Sequence, residues 1–250
     1  MSEVIRKTMT LLTTIIPNEE KEEWSATEVS RELDIPIQTV HRLLSSLSEN
    51  GFVFKNKETK KFRLGLNLMQ LGLSIRDNLL VRNSALPIMG ELTKRIKESV
   101  FLTVPEGNEG VLIECVDCEL LLKSIEPIGR RTPLCTGASK KVILAHMKNR
   151  MKLQIIRALV EQGKIVDSKK FECELRNIKE SGFAISYGEI TKGTVSIAAP
   201  IFSWEGDVVA SISIGGQEER FRDQQVKRYI YEIKKAAEEV SKELGWIKPR

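Results

Sequence analysis

The stretch from Ser25 to Gly65 constrains this 250-residue chain more than any other. It predicts two short helices joined by a tight turn and followed by a basic β-hairpin. The segment Ser25-Ala26-Thr27-Glu28 is a capping box, which marks a helix start. Asp34-Ile35-Pro36 then breaks that helix, and Pro36 suits the first position of the next one. This order predicts a winged helix-turn-helix, the layout that places one helix in the DNA major groove and a wing on the phosphates.

The second of these predicted helices, from Pro36 to Glu49, has an apolar face and a polar face. The apolar stripe consists of Val40, Leu43, Leu44 and Leu47. The polar residues are of types that contact base edges or nearby phosphates. They are Gln38, Thr39, His41, Arg42 and Ser45. We therefore predict that this helix contacts bases in the major groove.

The hairpin that follows carries most of the local positive charge. Residues 36–65 contain six basic and two acidic side chains, whereas residues 1–75 contain ten of each. Such a concentration suits contact with phosphates. The candidates for that contact are Lys57, Lys60, Lys61 and Arg63. A second interpretation stays open, in which these charges only face solvent and the unit is a three-helix bundle with a hairpin that binds no nucleic acid.

The remainder of the chain predicts a second domain. We expect the winged helix-turn-helix over residues 1–65, a linker helix over 66–80 and an α+β domain over 81–250. The linker helix has one apolar edge, which favours pairing with a second copy unless it packs on its own domain. The domain begins with a helix and three strand-like runs, Val100–Val104, Gly110–Val116 and Leu120–Ile125. A loop over Glu126–Leu134, three helices, three more strands and a long closing helix follow.

Composition and motifs narrow the class of protein. The chain is 41% hydrophobic and 29% charged, as in ordinary globular proteins. No run approaches the ~18 apolar residues of a membrane span and Met1–Arg6 is no signal peptide, so we expect no membrane association and a cytoplasmic protein. There are two histidines, His41 and His146, and no Walker A or Rossmann glycine motif. The Cys115-Val116-Asp117-Cys118 segment lacks a second cysteine pair, which favours a turn over a metal or redox site. We expect no enzyme activity, no cofactor and no metal.

Several segments, in order, resemble the IclR family of prokaryotic transcription regulators over nearly the whole chain. Val40-His41-Arg42-Leu43-Leu44 resembles that family's recognition helix, and Phe62-Arg63-Leu64-Gly65 resembles its wing exit. The segment Gly129–Leu134 resembles its effector-domain signature. Ile197–Phe202 resembles part of its C-terminal block. One departure is Lys140, which stands where the family usually has a glycine.

The resemblance implies a GAF-like domain that binds a small molecule, commonly a small organic acid. The implied positions are Ala138 and Ser139 at a helix start and, on the sheet, Ser186, Ser196, Ser213 and Gly215. The residues themselves support this in part, because free N–H groups at a helix start attract a carboxylate. Ser196 and Ser213 are single hydroxyls in apolar strands, which suits an oriented ligand. The alternative is that both are core serines bonded to neighbouring backbone.

Taken together, the sequence predicts a DNA-binding transcriptional regulator, a repressor, whose operator binding responds to a small-molecule effector. We expect a homodimer or a dimer of dimers on a pseudo-palindromic double-stranded operator. The alternative is a small-molecule-binding or catalytic protein whose N-terminal module makes protein contacts.

Overall fold

A computed structural model describes residues 2–18, 21–118 and 127–247. The chain forms two compact units, Met1–Asp77 and Asn78–Arg250. The strand expected over Leu120–Ile125 and the first residue of the expected loop, Glu126, lie outside the described residues. Within the described residues, no helix is both long and apolar enough to span a bilayer.

The first unit is a winged helix-turn-helix. Its elements are α1 (Glu3–Thr14), α2 (Ala26–Leu33), α3 (Ile37–Glu49), β1 (Val53–Lys55), β2 (Phe62–Leu64) and α4 (Leu66–Asp77). α1, α2, α3 and the antiparallel β1–β2 hairpin enclose a small apolar core. Val40 and Leu44 of α3 are fully buried in that core. The predicted layout and the predicted apolar stripe of the second helix are confirmed.

Only some of the apolar residues of the first helix are buried. Apolar residues recur through this segment at near-helical spacing, which predicts a helix, and α1 is that helix. Leu11 and Ile15 are buried, but Val4, Ile5 and Ile16 are each 52% exposed. Among the described residues, the apolar core of this unit includes Leu11 and Ile15 and does not extend to the first turn of α1.

The predicted capping box at the start of α2 is formed in both directions. The Ser25 hydroxyl accepts the Glu28 N–H at 3.2 Å, and the Glu28 carboxylate accepts the Ser25 N–H at 2.7 Å. Lys21 Nζ lies 2.9 Å from the same carboxylate. These bonds, the Ser25 backbone bond first and Lys21 second, lower the pKa of Glu28 to about 2. The carboxylate is therefore a stabilising group only in its charged form.

We expect Glu28→Gln to reduce the stability of α2 at neutral pH and to have little effect in acid. Because the pKa of Glu28 is lowered by folding, its contribution is complete above about 4.5 and is lost as the pH falls toward about 2. Loss of such a cap costs about 0.5–1 kcal/mol here, at the low end because the side chain is 37% exposed. Hydrogen exchange of the α2 amides at pH 7 and at pH 2 measures it. Glu32→Gln on the same helix is the control, and an equal loss at both pH values would contradict this account.

The second unit is an α+β domain around one sheet, as predicted. Its elements are α5 (Leu80–Ile96), β3 (Ser99–Glu106), β4 (Glu109–Val116), β5 (Arg131–Pro133), α6 (Ala138–His146), α7 (Asn149–Glu161), α8 (Ser168–Ser181), β6 (Ala184–Tyr187), β7 (Thr194–Phe202), β8 (Val208–Gln217) and α9 (Asp223–Glu243). In the part of the chain described, the strand order is β5-β4-β3-β8-β7-β6, with antiparallel neighbours. α5 and α9 share one apolar core with the sheet, and α6, α7 and α8 share a second.

One predicted loop is partly a strand. Within the expected loop Glu126–Leu134, residues Arg131–Pro133 form β5, which pairs with Glu109–Val111 of β4. The proline is tolerated because β5 is an edge strand. Arg131 also pairs with Glu106 and Glu109, which adds a local charge contact that the turn-forming composition did not reveal.

Candidate nucleic-acid interface and ligand cavity

The polar face of α3 points outward. Gln38, His41, Arg42 and Ser45 follow one another at three-, one- and three-residue spacing, which places them on one side of a helix. All four are exposed, and Thr39 beside them is half-buried. Ser46, which the sequence prediction did not include, is exposed as well and lies four residues after Arg42. The signal for it was its helical spacing from that arginine.

The direction of α3 is fixed by the turn before it. Asp34 ends α2 in a left-handed conformation with φ 52°. The Ile35 N–H then donates to the Ser30 carbonyl at 3.1 Å, and the Ser30 hydroxyl donates to the Ile35 carbonyl at 2.6 Å. The Pro36 carbonyl accepts the N–H groups of Thr39 and Val40, at 2.8 and 3.1 Å, in the first turn of α3. The tight turn therefore holds the exposed face of α3 in one orientation relative to α2.

The basic residues predicted to contact phosphates lie on the β1–β2 hairpin. Lys57, Lys60 and Arg63 are exposed and Lys61 is half-buried. The Arg63 guanidinium lies over the Phe54 ring, with its carbon 4.5 Å from the ring centroid. This stacking keeps the charge on the outer side of the hairpin.

The base of the wing is bonded on both edges. β2 pairs with β1 on one side, and on the other side Phe62 exchanges two backbone hydrogen bonds with Trp24, at 2.7 and 2.8 Å. β2 is thus the middle strand of a small three-stranded arrangement. The base of the hairpin is held more firmly than that of a free two-stranded hairpin.

Glu23 holds the tip of the wing, a role that the sequence prediction missed. Its carboxylate accepts hydrogen bonds from the Asn56 amide at 3.0 Å and the Thr59 hydroxyl at 2.8 Å. These two bonds, Asn56 first, lower the pKa of Glu23. Asn56 in turn accepts the Glu58 N–H at 2.9 Å. Nothing local in the sequence links Glu23 to a hairpin more than thirty positions away.

We expect Glu23→Ala to weaken operator binding by about three- to tenfold, although it removes a negative charge near DNA. The reason is that the wing lysines lose a fixed position, and each lost phosphate contact also lowers the salt dependence by about one unit of slope. Fluorescence anisotropy on an operator obtained by in vitro selection, at several salt concentrations, measures both. Glu22→Ala removes the same charge from an exposed neighbour without these bonds, and it should bind at least as tightly as the parent. Tighter binding by Glu23→Ala would contradict the positioning role.

A cavity of about 420 Å³ lies in the second unit, between the sheet and the start of α6. The connection between β6 and β7 contributes part of its wall. Strand register aligns four of its lining residues, because Ser186, Ser196, Gly215 and Ser99 are successive cross-strand partners on β6, β7, β8 and β3. Five of the six predicted effector positions line this cavity. They are Ser139, Ser186, Ser196, Ser213 and Gly215.

Three serines of the cavity have no side-chain hydrogen bond among the described residues. Ser139 and Ser213 are 4% and 3% exposed, and Ser196 is half-buried. All three line the cavity. Their hydroxyls can therefore bond a molecule or water that enters it. Ser211 shows the contrasting case of a core serine, since its hydroxyl donates to the Ser139 carbonyl at 2.9 Å.

The start of α6 offers a ligand fewer backbone donors than its sequence suggests. The Gly137 N–H donates to Glu189 Oε2 at 2.8 Å, and the Ala138 N–H donates to the Ser186 hydroxyl at 3.0 Å. Ala138 does not line the cavity. The Ser139 N–H has no partner among the described residues. Of the two predicted positions at this helix start, Ser139 is therefore the one that faces the cavity.

Charged residues at the cavity are engaged in ion pairs. Arg220 holds buried Glu98 through two hydrogen bonds, at 2.8 and 2.9 Å. Lys141 Nζ donates to Glu174 at 2.7 Å and to Glu189 at 2.8 Å. Burial alone would lower the pKa of Lys141, but its bonds to these two carboxylates outweigh burial and raise it. Lys140 is 2% exposed and lines the cavity, where it adds a cation.

The remaining candidates for chemistry have structural surroundings. His146 Nδ1 lies 2.8 Å from the Val142 carbonyl, its ring packs edge-on against Phe202, and burial lowers its pKa. Cys115 and Cys118 are not in disulfides, and the Cys115 thiol donates to Asp117 Oδ1 at 3.2 Å. No group of three metal-ligating side chains occurs in residues 2–18, 21–118 or 127–247.

The fold and these two sites define a two-domain DNA-binding protein with a separate ligand-type cavity. Residues 5–56 match the IclR helix-turn-helix domain and residues 74–242 match the C-terminal domain of the bacterial transcriptional regulator IclR. The chain belongs to the IclR family and is a transcriptional regulator rather than an enzyme. It is 33% identical over 220 residues to the HTH-type transcriptional regulator KipR of Bacillus subtilis, covering 85% of this chain and 86% of KipR.

Solved structures share the same architecture. The Thermotoga maritima IclR structure superposes with a TM-score of 0.78 at 26% identity, covering 97% of this chain and 98% of that one. An IclR homolog from Microbacterium hydrocarbonoxydans complexed with 4-hydroxybenzoate superposes with a TM-score of 0.77 at 23% identity, covering 97% of this chain and 99% of that one.

Proposed function

We propose that the protein is an effector-controlled repressor whose operator affinity changes when a small organic acid fills the cavity. The single observation that carries the proposal is a cavity in a DNA-binding regulator that is lined by the hydroxyls of Ser139, Ser196 and Ser213, none of which has a side-chain hydrogen bond among the described residues. The outward face of α3 and the basic wing would contact the operator. The residues of α3 in this role are Gln38, Thr39, His41, Arg42 and Ser45. As a repressor of bacterial genes it acts in the cytoplasm.

An acid suits the chemistry of the cavity. The Ser139 N–H at the start of α6 offers a backbone donor in the favourable field of the helix dipole. The hydroxyls of Ser196 and Ser213 add two orienting groups, with Phe101 as apolar wall. The volume lies within the usual range for small-molecule sites. The 4-hydroxybenzoate complex of the Microbacterium relative is consistent with an acid of this size.

The exposed apolar residues of α1 and α4 support a homodimer. α4 has no buried residue, and Leu66, Met69 and Ile75 are among its exposed ones. Val4 and Ile5 of α1 are exposed as well. A second copy is the proposed occupant, because a symmetric dimer presents two α3 helices to the two half-sites of a pseudo-palindrome. Sedimentation equilibrium distinguishes this dimer from a dimer of dimers.

The effector acts because its affinity differs between two arrangements of the winged helix-turn-helix units in the dimer. A ligand shifts such an equilibrium only by as much as its affinities for the two states differ. In this proposal, a ligand bound at Ser139 contacts the start of α6 and the strands beside it, and this local change alters the arrangement of the two winged helix-turn-helix units in the dimer. Filling the cavity is therefore expected to release the operator.

Gel-shift titrations of the full chain on an in-vitro-selected operator test the proposal. Specific binding should weaken steeply as salt rises, because phosphate contacts release counterions. Addition of a carboxylic acid that binds the cavity should weaken it further. Binding to no DNA at any salt concentration would favour the second candidate function, in which the N-terminal module makes protein contacts.

A further inference from the structure

Glu189 stands between the start of α6 and the ligand cavity, and we propose that it selects the charge of the effector. The cavity takes an acid with one carboxylate and a hydroxyl on the side of Glu189. It rejects the matching acid that carries a second carboxylate there. This inference rests on the proposed function, in which a carboxylic acid binds beside Ser139.

The protein's own carboxylate already occupies part of the anion position at the helix start. Glu189 Oε2 accepts the Gly137 N–H at 2.8 Å, and Glu189 Oε1 accepts a hydrogen bond from Lys141 Nζ at 2.8 Å. Glu189 is also one of the residues that line the cavity. A helix N-terminus favours an anion, and here the first N–H is taken by a side chain. A ligand therefore meets a negative charge where an unoccupied helix start would have offered a donor.

The donors left for a ligand at this helix start follow the two that side chains already hold. The Ala138 N–H is held by the Ser186 hydroxyl, and the Ser139 N–H is the next along the chain. The Ser139 and Ser213 side chains are more than nine-tenths buried, line the cavity and have no partner in the described part of the chain. These groups can accommodate one carboxylate.

The charge balance around Glu189 opposes a second ligand carboxylate. Lys141 is shared between Glu189 and Glu174, so the three side chains together carry one net negative charge. A carboxylate turned toward them would be repelled within a partly enclosed site, where charges interact more strongly than in water. A ligand hydroxyl in the same place would instead donate to Glu189, because an ionised carboxylate accepts more than two hydrogen bonds.

Packing holds Glu189 in this position. The side chain of its neighbour Ile190 fills the space that a side chain at position 137 would need. A Cβ added to Gly137 would come within 2.6 Å of Ile190 Cδ1. The segment turns at Gly188 and Gly193, with φ of 64° and 77°. The Glu189 carboxylate is thus placed by a fitted segment as well as by its ion pair.

Matched pairs of acids test the inference by calorimetry on the full chain. In each pair a CH₂OH group is replaced by a carboxylate. The pairs are 4-hydroxybutyrate with succinate, 5-hydroxypentanoate with glutarate, and 4-(hydroxymethyl)benzoate with terephthalate. The variants are Glu189→Gln, which removes the charge at the cavity, and Glu174→Gln, which removes the same charge from the same lysine without lining the cavity. Glu189→Asp keeps the charge and serves as the conservative variant.

The parent should bind the hydroxy acid of at least one pair more tightly than the diacid, by on the order of tenfold. Glu189→Gln should abolish this preference, whereas Glu174→Gln and Glu189→Asp should keep it. An unchanged preference in Glu189→Gln, or an equal loss in Glu174→Gln, would overturn the role of Glu189 and leave the acid effector in place. If Glu189→Gln does not fold, loss of the preference in Glu189→Asp overturns the role. Binding of none of the six acids by the parent would remove the acid effector itself, and this inference with it.

Discussion

Replacing Arg42 with alanine is expected to weaken operator binding by about 1–3 kcal/mol, roughly fivefold to 150-fold. Arg42 is exposed in the middle of the outward face of α3, between His41 and Ser45. An arginine there can donate two hydrogen bonds to a guanine in the major groove, and its loss removes sequence discrimination as well as affinity. Anisotropy titrations against the operator and against variants with one base pair changed measure both effects.

A matched control separates base contact from general charge. Arg150→Ala removes one exposed arginine from α7 in the other unit and should leave operator affinity within about twofold, because a distant charge is screened at physiological salt. The two variants have the same net charge. If Arg42→Ala kept the parent's affinity and its preference among the operator variants, Arg42 would have no part in recognition.

Replacing Ser196 with phenylalanine is expected to abolish the response to effector while leaving the ligand-free protein bound to its operator. Ser196 lies on β7 at the centre of the cavity, between Ser186 and Gly215 in the strand register. A phenyl ring there occupies the space that the ligand needs. The affinity for acids should fall at least about a hundredfold, or roughly 2.8 kcal/mol. Calorimetry measures the ligand, and anisotropy without ligand reports whether the variant remains folded and active.

Two further variants make this result specific. Ser203→Phe places the same ring in the connection between β7 and β8, outside the cavity, and should respond to effector like the parent. Ser196→Ala removes only the hydroxyl, and should cost about 0.5–1.5 kcal/mol in ligand affinity. Parent-like acid binding by Ser196→Phe would show that effectors bind elsewhere.

The DNA-reading unit follows from its sequence because the signals that form it are local. The capping box at Ser25 and the break at Pro36 involve neighbours within a few positions, and both occur as predicted. Periodicity predicts the helix α1, but the spacing of apolar residues does not show which of them the core reaches. Val4 and Ile5 are exposed.

The ligand cavity depends on contacts between distant parts of the chain. Residue spacing did not bring Ser186, Ser196 and Gly215 together, because only the register of three strands aligns them. The family resemblance supplied these positions. It did not supply the bonds of Glu189 to the start of α6 or those of Glu23 to the wing tip. Both are side-chain contacts across more than thirty residues, and they leave no periodic trace.

The most direct test of the account measures one coupling from both sides. Operator affinity is titrated at zero and at saturating acid, and acid affinity is measured with and without saturating operator. If the cavity and α3 bias the same two states, thermodynamic linkage requires the two affinities to change by the same factor. We predict equal factors of about 5–150 in the parent and no coupling in Ser196→Phe. An acid that binds the cavity with the same affinity whether or not operator is bound would contradict the account.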